Sequence, residues 1–335
     1  MTDEGVIRLT EWTTCGGCAA KWGAGLLSEL VDGIPEQVNP ALLVGLRPFD
    51  DAAVYAVSDD LALVSTADFF PPLVDDPSNF GAIAAANACS DVFAMGGRVA
   101  IAVNIAAFPE DFPRAAITAI FSAAAETVAL AGGSVAGGHT IRNPEPVFGL
   151  AVQGLVDPRH IFRKSGARPG DVAVLSKPIG TGLVTAAGTD MQKTAAIAGM
   201  RTVNRTSAEF LQSMNQGVHA VTDVTGYGLA GHGWEIAERS GVRFVIDSGL
   251  LPLYDGARGI AAAGTRTGGD PRNREYVGTR LRCTADETAL ALCMDPQTSG
   301  GLLAAVDPGV VPALVDHGFT VIGGFEDGPA GVTVS

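Results

Sequence analysis

The sequence predicts an α+β fold in which mixed sheets are covered by helices, arranged in two domains. The chain has 335 residues, of which 47% are hydrophobic and 17% charged, and a single domain typically has about 150 residues. Its 43 glycines and 19 prolines divide it into short elements. Both halves mix strands and helices without the strict alternation of a doubly wound sheet, which favours α+β over α/β.

The elements of the first half follow from apolar runs and helix-start signals. Residues 52–57 and 61–66 are short apolar runs separated by a polar turn, which is typical of paired strands. Asp76 as N-cap and Pro77 at the first helical position begin a helix that ends before Gly96. The remaining predicted elements are a buried strand at 99–108, a helix from about 113 to 132 and a strand at 147–156.

The second half begins at residues 168–171, whose Arg-Pro-Gly-Asp sequence predicts a domain junction. We therefore divide the chain into a Gly-rich flexible segment (1–48), an N-terminal domain (49–167) and a C-terminal domain (168–335). Strands are predicted at 172–176, 218–221, 243–246, 302–306 and 319–322, and a helix at 228–239. Residues 264–282 have almost no apolar periodicity, so a long loop is predicted there.

Composition and charge exclude several classes of protein. Lys and Arg total 22 and Asp and Glu total 36, giving a net charge of −14, which disfavours a nonspecific nucleic-acid binder. Five scattered cysteines are too few for a secreted disulfide scaffold. No apolar run has the length of a membrane span, and the N-terminus lacks a signal-peptide pattern. We therefore expect a soluble cytoplasmic protein with no nucleic-acid or membrane partner.

Aspartates recur where predicted strands begin or end. These residues are Asp50, Asp51, Asp68 and Asp223, joined by Asp91 on the first helix, one turn after Asn87. Carboxylates in apolar surroundings need a partner, and several that converge require a cation. Mg²⁺, which takes oxygen ligands and phosphates, suits such a site. The alternative is that each aspartate caps a turn or a helix.

A glycine-rich stretch near the N-terminus contains Cys15, Cys18 and Lys21. Its glycines predict a mobile loop whose backbone can approach a ligand. Lys21 lies three residues after Cys18, where it would either lower the pKa of the thiol or bind a phosphate. Two alternatives stay open: a redox or zinc-binding CxxC motif, although a second cysteine pair is absent, and an ordinary flexible terminus.

Further segments have the composition of ligand-binding loops. Residues 136–140, which include Gly138, His139 and Thr140, carry glycines whose backbone N–H groups could bind a phosphate. The segment Gly226–Gly231 matches the GxGxxG pattern of dinucleotide-binding proteins. Against that interpretation, Asp223 would place a carboxylate beside the pyrophosphate. Residues 268–273 and 295–301 are polar turns of the same general kind.

Taken together, these stretches resemble selenophosphate synthetase (selenide, water dikinase), a family of the aminoimidazole-ribotide-synthetase-like ATP-binding superfamily. The matching blocks follow the family's order along nearly the whole chain and include residues 50–55, 65–70, 90–97, 137–139, 222–228 and 295–303. The resemblance implies the two-domain fold of that superfamily, dimerisation through the N-terminal domain, and the reaction ATP + selenide + water → selenophosphate + AMP + phosphate.

The resemblance also implies roles for individual residues. Cys18 and Lys21 fall on the catalytic positions. The metal-binding positions are Asp51, Asp91 and Asp223, and the nucleotide-contacting positions are Lys21, Asp50, Asp68, Asp91, Gly138, His139 and Thr140. The implied cofactors and partners are Mg²⁺, ATP as substrate, a monovalent cation such as K⁺, a second copy of the chain and a selenium-delivery protein. One departure is Ala20, where some members have a second cysteine.

Two alternative functions follow from other features of the chain. An aminoimidazole-ribotide-type synthetase or a thiamine-phosphate kinase would share the fold and the Mg²⁺ aspartates, but neither needs the Cys18–Lys21 loop. An NAD-binding oxidoreductase would instead use Gly226–Gly231 and bind nicotinamide without Mg²⁺.

Overall fold

The computed structural model describes residues 7–14, 16–17, 30–31, 33–35 and 39–335. Cys15, Cys18 and Lys21 lie outside the described residues, as does much of the predicted segment 1–48. The α+β class is confirmed, because the described chain contains two mixed sheets with helices packed on them. No helix in the described ranges has the length and apolar character needed to cross a membrane.

The first sheet has the strand order β1-β2-β3-β6-β4-β5. Its strands are β1 (Leu42–Val44), β2 (Ala53–Ala56), β3 (Ala62–Phe70), β4 (Arg98–Phe108), β5 (Ser134–Arg142) and β6 (Val147–Val156). Neighbouring strands are antiparallel except for β4 and β5, which are parallel. Along β3, buried Val64 and Phe70 alternate with exposed Ser65 and Phe69, so one face of the sheet is in the core and the other is exposed.

Two helices cover the buried face of this sheet, α1 (Pro77–Ala94) and α2 (Arg114–Leu130). The predicted start of α1 is confirmed: the Asp76 side chain accepts a hydrogen bond from the N–H of Asn79 and Pro77 occupies the first turn. Nearly every residue of α1 is buried, because the helix packs against the sheet on one side and against α2 on another. Its alanines and Gly81 permit these close approaches.

The second sheet has the order β10-β13-β9-β12-β7-β11-β8. Its strands are β7 (Val172–Leu175), β8 (Val218–Asp223), β9 (Arg243–Ile246), β10 (Leu281–Cys283), β11 (Leu302–Val306), β12 (Thr320–Glu326) and β13 (Gly331–Val334). Strand β13 is parallel to both of its neighbours, and the other pairs are antiparallel. This sheet contains the strands predicted at 172–176, 218–221, 243–246, 302–306 and 319–322.

Helices fill the remainder of the second half. They are α3 (Thr181–Ala187), α4 (Asp190–Arg201), α5 (Arg205–Ser213), α6 (Gly228–Ser240), α7 (Ala257–Ala262), α8 (Asp270–Val277), α9 (Glu287–Met294) and α10 (Val311–Asp316). Helix α1 also contacts α4, α5 and β8. One hydrophobic cluster therefore continues from the first sheet through α1 to a face of the second sheet.

Two predictions of loops are wrong. The predicted loop at 264–282 contains α8 and β10. Helix α8 is mostly polar, so its sequence has little apolar periodicity, and its buried residues are Asp270, Asn273 and Val277. The predicted loop at 136–140 lies within β5. There a Cβ on Gly138 would come within 2.5 Å of the Asn104 carbonyl oxygen, so this glycine permits close pairing of β5 with β4.

Candidate active site

Strand β3 and helix α1 bring two of the predicted aspartates onto one surface. Thr66 and Asp68 both point toward α1 because alternate residues of a strand share a face. The Thr66 hydroxyl donates to Asp91 Oδ2 at 2.5 Å, and Asn87 Nδ2 donates to Asp68 Oδ2 at 2.5 Å. On α1, the donor Asn87 and the acceptor Asp91 are four residues apart. They therefore lie one helical turn apart on the same face, as predicted from the sequence.

Asn87 also connects this surface to the second half of the chain. Its Oδ1 accepts a hydrogen bond from the backbone N–H of Ser299 at 2.9 Å. Ser299 is the only non-glycine residue with a positive φ (50°) in the described ranges, a conformation that costs about 1–3 kcal/mol. The carbonyl of Ser299 accepts from Lys177 Nζ at 2.9 Å. Burial lowers the pKa of Lys177 to about 7, although the charge of Asp223 opposes this shift.

A second cluster of aspartates lies just before β2 and at the end of β8. Asp51 Oδ1 forms an ion pair with Lys164 Nζ at 2.7 Å and accepts a hydrogen bond from the Thr222 hydroxyl at 3.0 Å. Asp51 Oδ2 and Asp223 Oδ2 are both buried and accept no hydrogen bond from any residue that the structure describes. Asp50 lies beside this pair, with Oδ2 accepting from the backbone N–H of Lys164 at 3.1 Å.

Burial sets the protonation behaviour of these carboxyl groups. Burial raises the pKa of Asp51 well above its usual value near 3.8, Lys164 opposes the shift, and the charges of Asp223 and Asp50 add to it. Burial is also the largest cause of the raised pKa of Asp50. The charged forms of Asp50 and Asp51 are therefore unfavourable unless a further cation binds beside them.

The two oxygens without partners fit a hard divalent cation such as Mg²⁺. Buried carboxylate oxygens without hydrogen bonds are costly, and oxygen is the ligand that Mg²⁺ prefers. Within the described ranges, no three His, Cys, Asp or Glu side chains converge into a group that would hold a metal ion. This agrees with the usual Mg²⁺ site, in which one or two carboxylates are completed by water and substrate phosphates.

Lys164 extends the acidic group into the second domain. Its ammonium lies 2.8 Å from Glu235 Oε2 on α6, and His232 Nδ1 lies 3.4 Å from the same oxygen. Burial alone would lower the pKa of Lys164, but Asp51, Glu235 and Asp50 together raise it. Sequence reasoning missed this lysine and its partner. The one available signal was its rarity, because Lys21 is the only lysine that precedes it.

The structure separates the segment containing Gly138, His139 and Thr140 from the aspartates. Asp68, Leu150, Asn104 and Gly138 lie in one row across β3, β6, β4 and β5, so Asp68 and Gly138 are three strand spacings apart, about 14 Å. Between them, Asn104 Oδ1 is buried and lacks a hydrogen-bond partner in the described chain. His139 is paired with Ile105, which places it on the opposite, outward face of the sheet.

The Gly226–Gly231 segment is closed by protein. A Cβ on Gly228 would lie 2.9–3.0 Å from backbone atoms of Cys293, Met294 and Asp295. Asn273 Nδ2 donates to the carbonyl of Gly226 at 3.0 Å. The glycines therefore permit packing of α6 against its neighbours and leave little room for a pyrophosphate.

The described part of the N-terminal segment lies beside a cavity of about 410 Å³. Thr13, Thr14, Thr181 and Thr298 are among its lining residues. Thr13 and Thr14 donate to the carboxylate of Glu145 through the hydroxyl and the backbone N–H, the latter at 2.9 Å. The segment that leads to Cys18 is therefore held against the first domain at the edge of this cavity.

Comparison with known proteins identifies close relatives over the full chain. Residues 49–156 match the profile of the AIR synthase related protein N-terminal domain, and residues 168–317 match that of the C-terminal domain. The chain is 42% identical over 312 residues to "Selenide, water dikinase" of Myxococcus xanthus (strain DK1622), covering 91% of this chain and 88% of that protein. It is 42% identical over 351 residues to the protein of the same name from Burkholderia ambifaria (strain MC40-6), covering 100% and 99%.

Solved structures of other proteins share the fold at lower identity. Thiamine-monophosphate kinase from Stenotrophomonas maltophilia K279a superimposes with a TM-score of 0.65 at 22% identity, covering 94% of this chain and 96% of that one. Hydrogenase maturation protein HypE in complex with ATP gives 0.61 at 17%, covering 88% and 86%. These structures share the fold alone, and together with the two matching family models they confirm the predicted two-domain, aminoimidazole-ribotide-synthetase-like architecture.

Proposed function

Because the chain belongs to the selenide, water dikinase family, we propose that Mg·ATP binds at its acidic site and that the γ-phosphoryl group is transferred there to selenide. The overall reaction is ATP + selenide + water → selenophosphate + AMP + phosphate. The observation that supports this location is the pair of buried, unpartnered oxygens on Asp51 and Asp223. The 42% identity to selenide, water dikinases over the full chain gives this function more support than the thiamine-phosphate kinase or oxidoreductase alternatives.

In this proposal Asp51 and Asp223 would hold one Mg²⁺, and Asp91, which does not converge with them in the described chain, would hold a metal ion together with the phosphates of ATP. When bound, Mg²⁺ neutralises phosphate charge and favours in-line displacement at the γ-phosphorus. The protein orients these carboxylates from two sides: Thr66 donates to Asp91 in the first domain, and Thr222 donates to Asp51 from the second. The nucleotide therefore binds where the two domains meet.

The proposed nucleotide contacts extend over the first sheet. They are Asp50, Asp68, Asp91, Gly138 and Thr140, with Lys21 from the N-terminal loop. His139 stays a prediction from the resemblance, because strand pairing places it on the outward face of the sheet, opposite to Asp68. Asn87 orients Asp68 through its amide, which supports a polar contact at that position. Asn104, with its unpartnered oxygen, lies in the row between Asp68 and Gly138 and supports a ligand along that row.

We assign the acceptor chemistry to Cys18 and Lys21. Lys21 would neutralise phosphate oxygens as a point charge, and Cys18 would hold or deliver the selenium nucleophile. The anchoring of Thr13 and Thr14 on Glu145 supports a loop that starts from a fixed position in the first domain. Closure of such a loop would exclude water and protect selenide, which is readily oxidised.

The outward face of the first sheet supports a homodimer. Tyr55, Phe69, Ile101 and Ile141 are 43%, 54%, 40% and 54% exposed, and strand pairing places all four on this face. An apolar sheet face of this kind is typical of a subunit interface.

Other expectations from the sequence stay predictions. They are the binding of K⁺, a selenium-delivery protein as partner, the cytoplasmic location and the domain boundaries at 48/49 and 167/168.

An anaerobic nucleotide assay tests the proposed site. We expect AMP to form only when Mg²⁺ and selenide are both present, and chelation of Mg²⁺ to stop ATP consumption. Accumulation of ADP as the final product, with no effect of selenide, would contradict the proposed reaction while retaining an ATP-binding site.

A further inference from the structure

Lys164 lies in the segment between the two matched domains, and its side chain is 4% exposed. We propose that Lys164 is a positioning residue that holds Asp51 Oδ1, so that Asp51 Oδ2 is the oxygen offered to the divalent cation. The inference rests on the proposed function, because the cation at Asp51 and Asp223 is part of that proposal. The new element is that Lys164 orients the carboxylate of Asp51 and that the second domain holds Lys164 in place.

The contacts of Asp51 divide its two oxygens into separate roles. Oδ1 forms an ion pair with the Lys164 ammonium and accepts a hydrogen bond from the Thr222 hydroxyl, whereas Oδ2 accepts no hydrogen bond in the described chain. A carboxylate is planar, so two contacts to one oxygen fix the direction of the other. Removal of such a partner of a metal ligand typically weakens metal binding by tenfold to 100-fold.

Glu235 keeps the ammonium of Lys164 in place from the opposite side. Its side chain is 1% exposed, and its Oε2 lies 2.8 Å from Lys164 Nζ. Tyr276 donates to Oε1 of the same carboxylate at 3.2 Å, and His232 lies against Oε2. A lysine side chain has several rotatable bonds, so the second carboxylate removes freedom that one ion pair would leave. The orientation of Asp51 thus depends on α6, an element of the second domain.

The formal charges leave room for a divalent cation beside Lys164. The linked groups include four carboxylates, on Asp50, Asp51, Asp223 and Glu235, and three basic side chains, those of Lys164, Arg239 and Lys177. The carboxylates outnumber the basic side chains by one, so the group stays negative and attracts a cation even with Lys164 in place. Lys164 therefore need not leave Asp51 when the cation binds, and its role is to orient the carboxylate.

A titration of the full chain with Mn²⁺, without ATP, tests the role of Lys164. The EPR signal of free Mn²⁺ decreases as the ion binds, so it measures the affinity. We expect Lys164→Met to weaken Mn²⁺ binding by roughly tenfold or more. Thr222→Val and Glu235→Gln each remove one support of the same orientation, so each should weaken binding by a smaller factor. The matched control is Lys193→Met, because Lys193 on α4 is not a partner of these carboxylates.

The outcomes separate this inference from the metal site itself. If Asp223→Asn weakens Mn²⁺ binding but folded Lys164→Met binds as well as, or more tightly than, the unaltered protein, the positioning role is wrong. If the unaltered protein shows no saturable Mn²⁺ binding, or Asp223→Asn changes nothing, the metal site is wrong and the inference falls with it. If circular dichroism shows that Lys164→Met does not fold, the test rests on Thr222→Val and Glu235→Gln, which retain the lysine. Unchanged Mn²⁺ affinity in both of these variants would overturn the inference.

Discussion

Asn87 and Ser299 form a direct hydrogen bond between helix α1 of the first domain and the turn before β11 of the second, 2.9 Å from the Ser299 N–H to Asn87 Oδ1. Both residues are almost completely buried. Since the other end of the Asn87 amide donates to Asp68, one side chain couples the arrangement of the domains to a proposed nucleotide contact.

The first prediction concerns that amide. Asn87→Asp keeps the acceptor for Ser299 but replaces the donor to Asp68 with a negative charge in a buried position. We expect the free energy of unfolding to fall by about 1–3 kcal/mol and ATP binding to weaken, because Asp68 loses a buried partner. Urea unfolding and calorimetric titration of ATP measure the two effects. Asn79→Asp on the same helix is the control, since Asn79 faces Arg201 and should tolerate the charge; equal losses in both variants would refute the coupling.

Asp223→Asn should separate stability from binding. The variant removes one of two buried carboxylates that repel each other and also removes the attraction between Asp223 and Lys177, so without metal we expect the free energy of unfolding to change by no more than about 1 kcal/mol. The same change removes a proposed metal ligand, so the affinity for Mg·ATP should fall by roughly tenfold or more. Urea unfolding in chelator and nucleotide titration in Mg²⁺ give the two values. Unchanged nucleotide affinity would argue against the metal role of Asp223.

Cys18→Ser should abolish selenide-dependent turnover while leaving Mg·ATP binding largely intact, because the thiol is proposed to act on selenium and not on the nucleotide. Single-turnover AMP formation and equilibrium binding distinguish the two. Cys283→Ser, at an exposed cysteine on β10, is a matched control and should behave as the unaltered enzyme does. Full activity of Cys18→Ser would remove this residue from the mechanism.

The buried amine of Lys177 predicts a specific pH dependence of stability. Its pKa is lowered by burial to about 7, whereas a lysine in the unfolded chain titrates near 10.4. Between these values the unfolded state binds one more proton, so stability rises with pH by about 1.4 kcal/mol per unit from this group. Below pH 7 both states are protonated and the slope vanishes.

Lys177→Met tests this dependence by removing the titrating group. The difference in unfolding free energy between the unaltered protein and the variant should change from pH 7 to pH 10 and be constant from pH 5 to pH 6.5. A difference that is constant over the whole range would mean that Lys177 stays charged in the folded protein, stabilised by the carbonyls of Thr202 and Ser299.

The fold class could be predicted from the sequence because its signals are local. Asp76 and Pro77 specify the start of α1 within a few residues, and the apolar runs mark most of the strands. The continuation of strand β5 through residues 136–140 was missed because glycines usually weaken strands. Gly138 is required there by the backbone of Asn104, which lies 34 residues earlier in the chain. Helix α8 was missed because its polar sequence hides the few buried positions.

The candidate site could be predicted only in part. The aspartates were visible because carboxylates in apolar surroundings are unusual, and the resemblance to a family gave them roles. Lys164 and Glu235 were not predicted, since their partnership depends on tertiary packing between residues far apart in the chain. The separation of His139 from the face that contains Asp68 was also invisible, because it follows from strand pairing.

Phosphorus NMR of an anaerobic incubation with Mg·ATP, with and without selenide, tests the central claim most directly. The account predicts a selenide-dependent selenophosphate signal with AMP and phosphate in equal amounts. ATP turnover that stops at ADP, or no turnover in a demonstrably folded sample, would contradict selenophosphate synthesis by this chain.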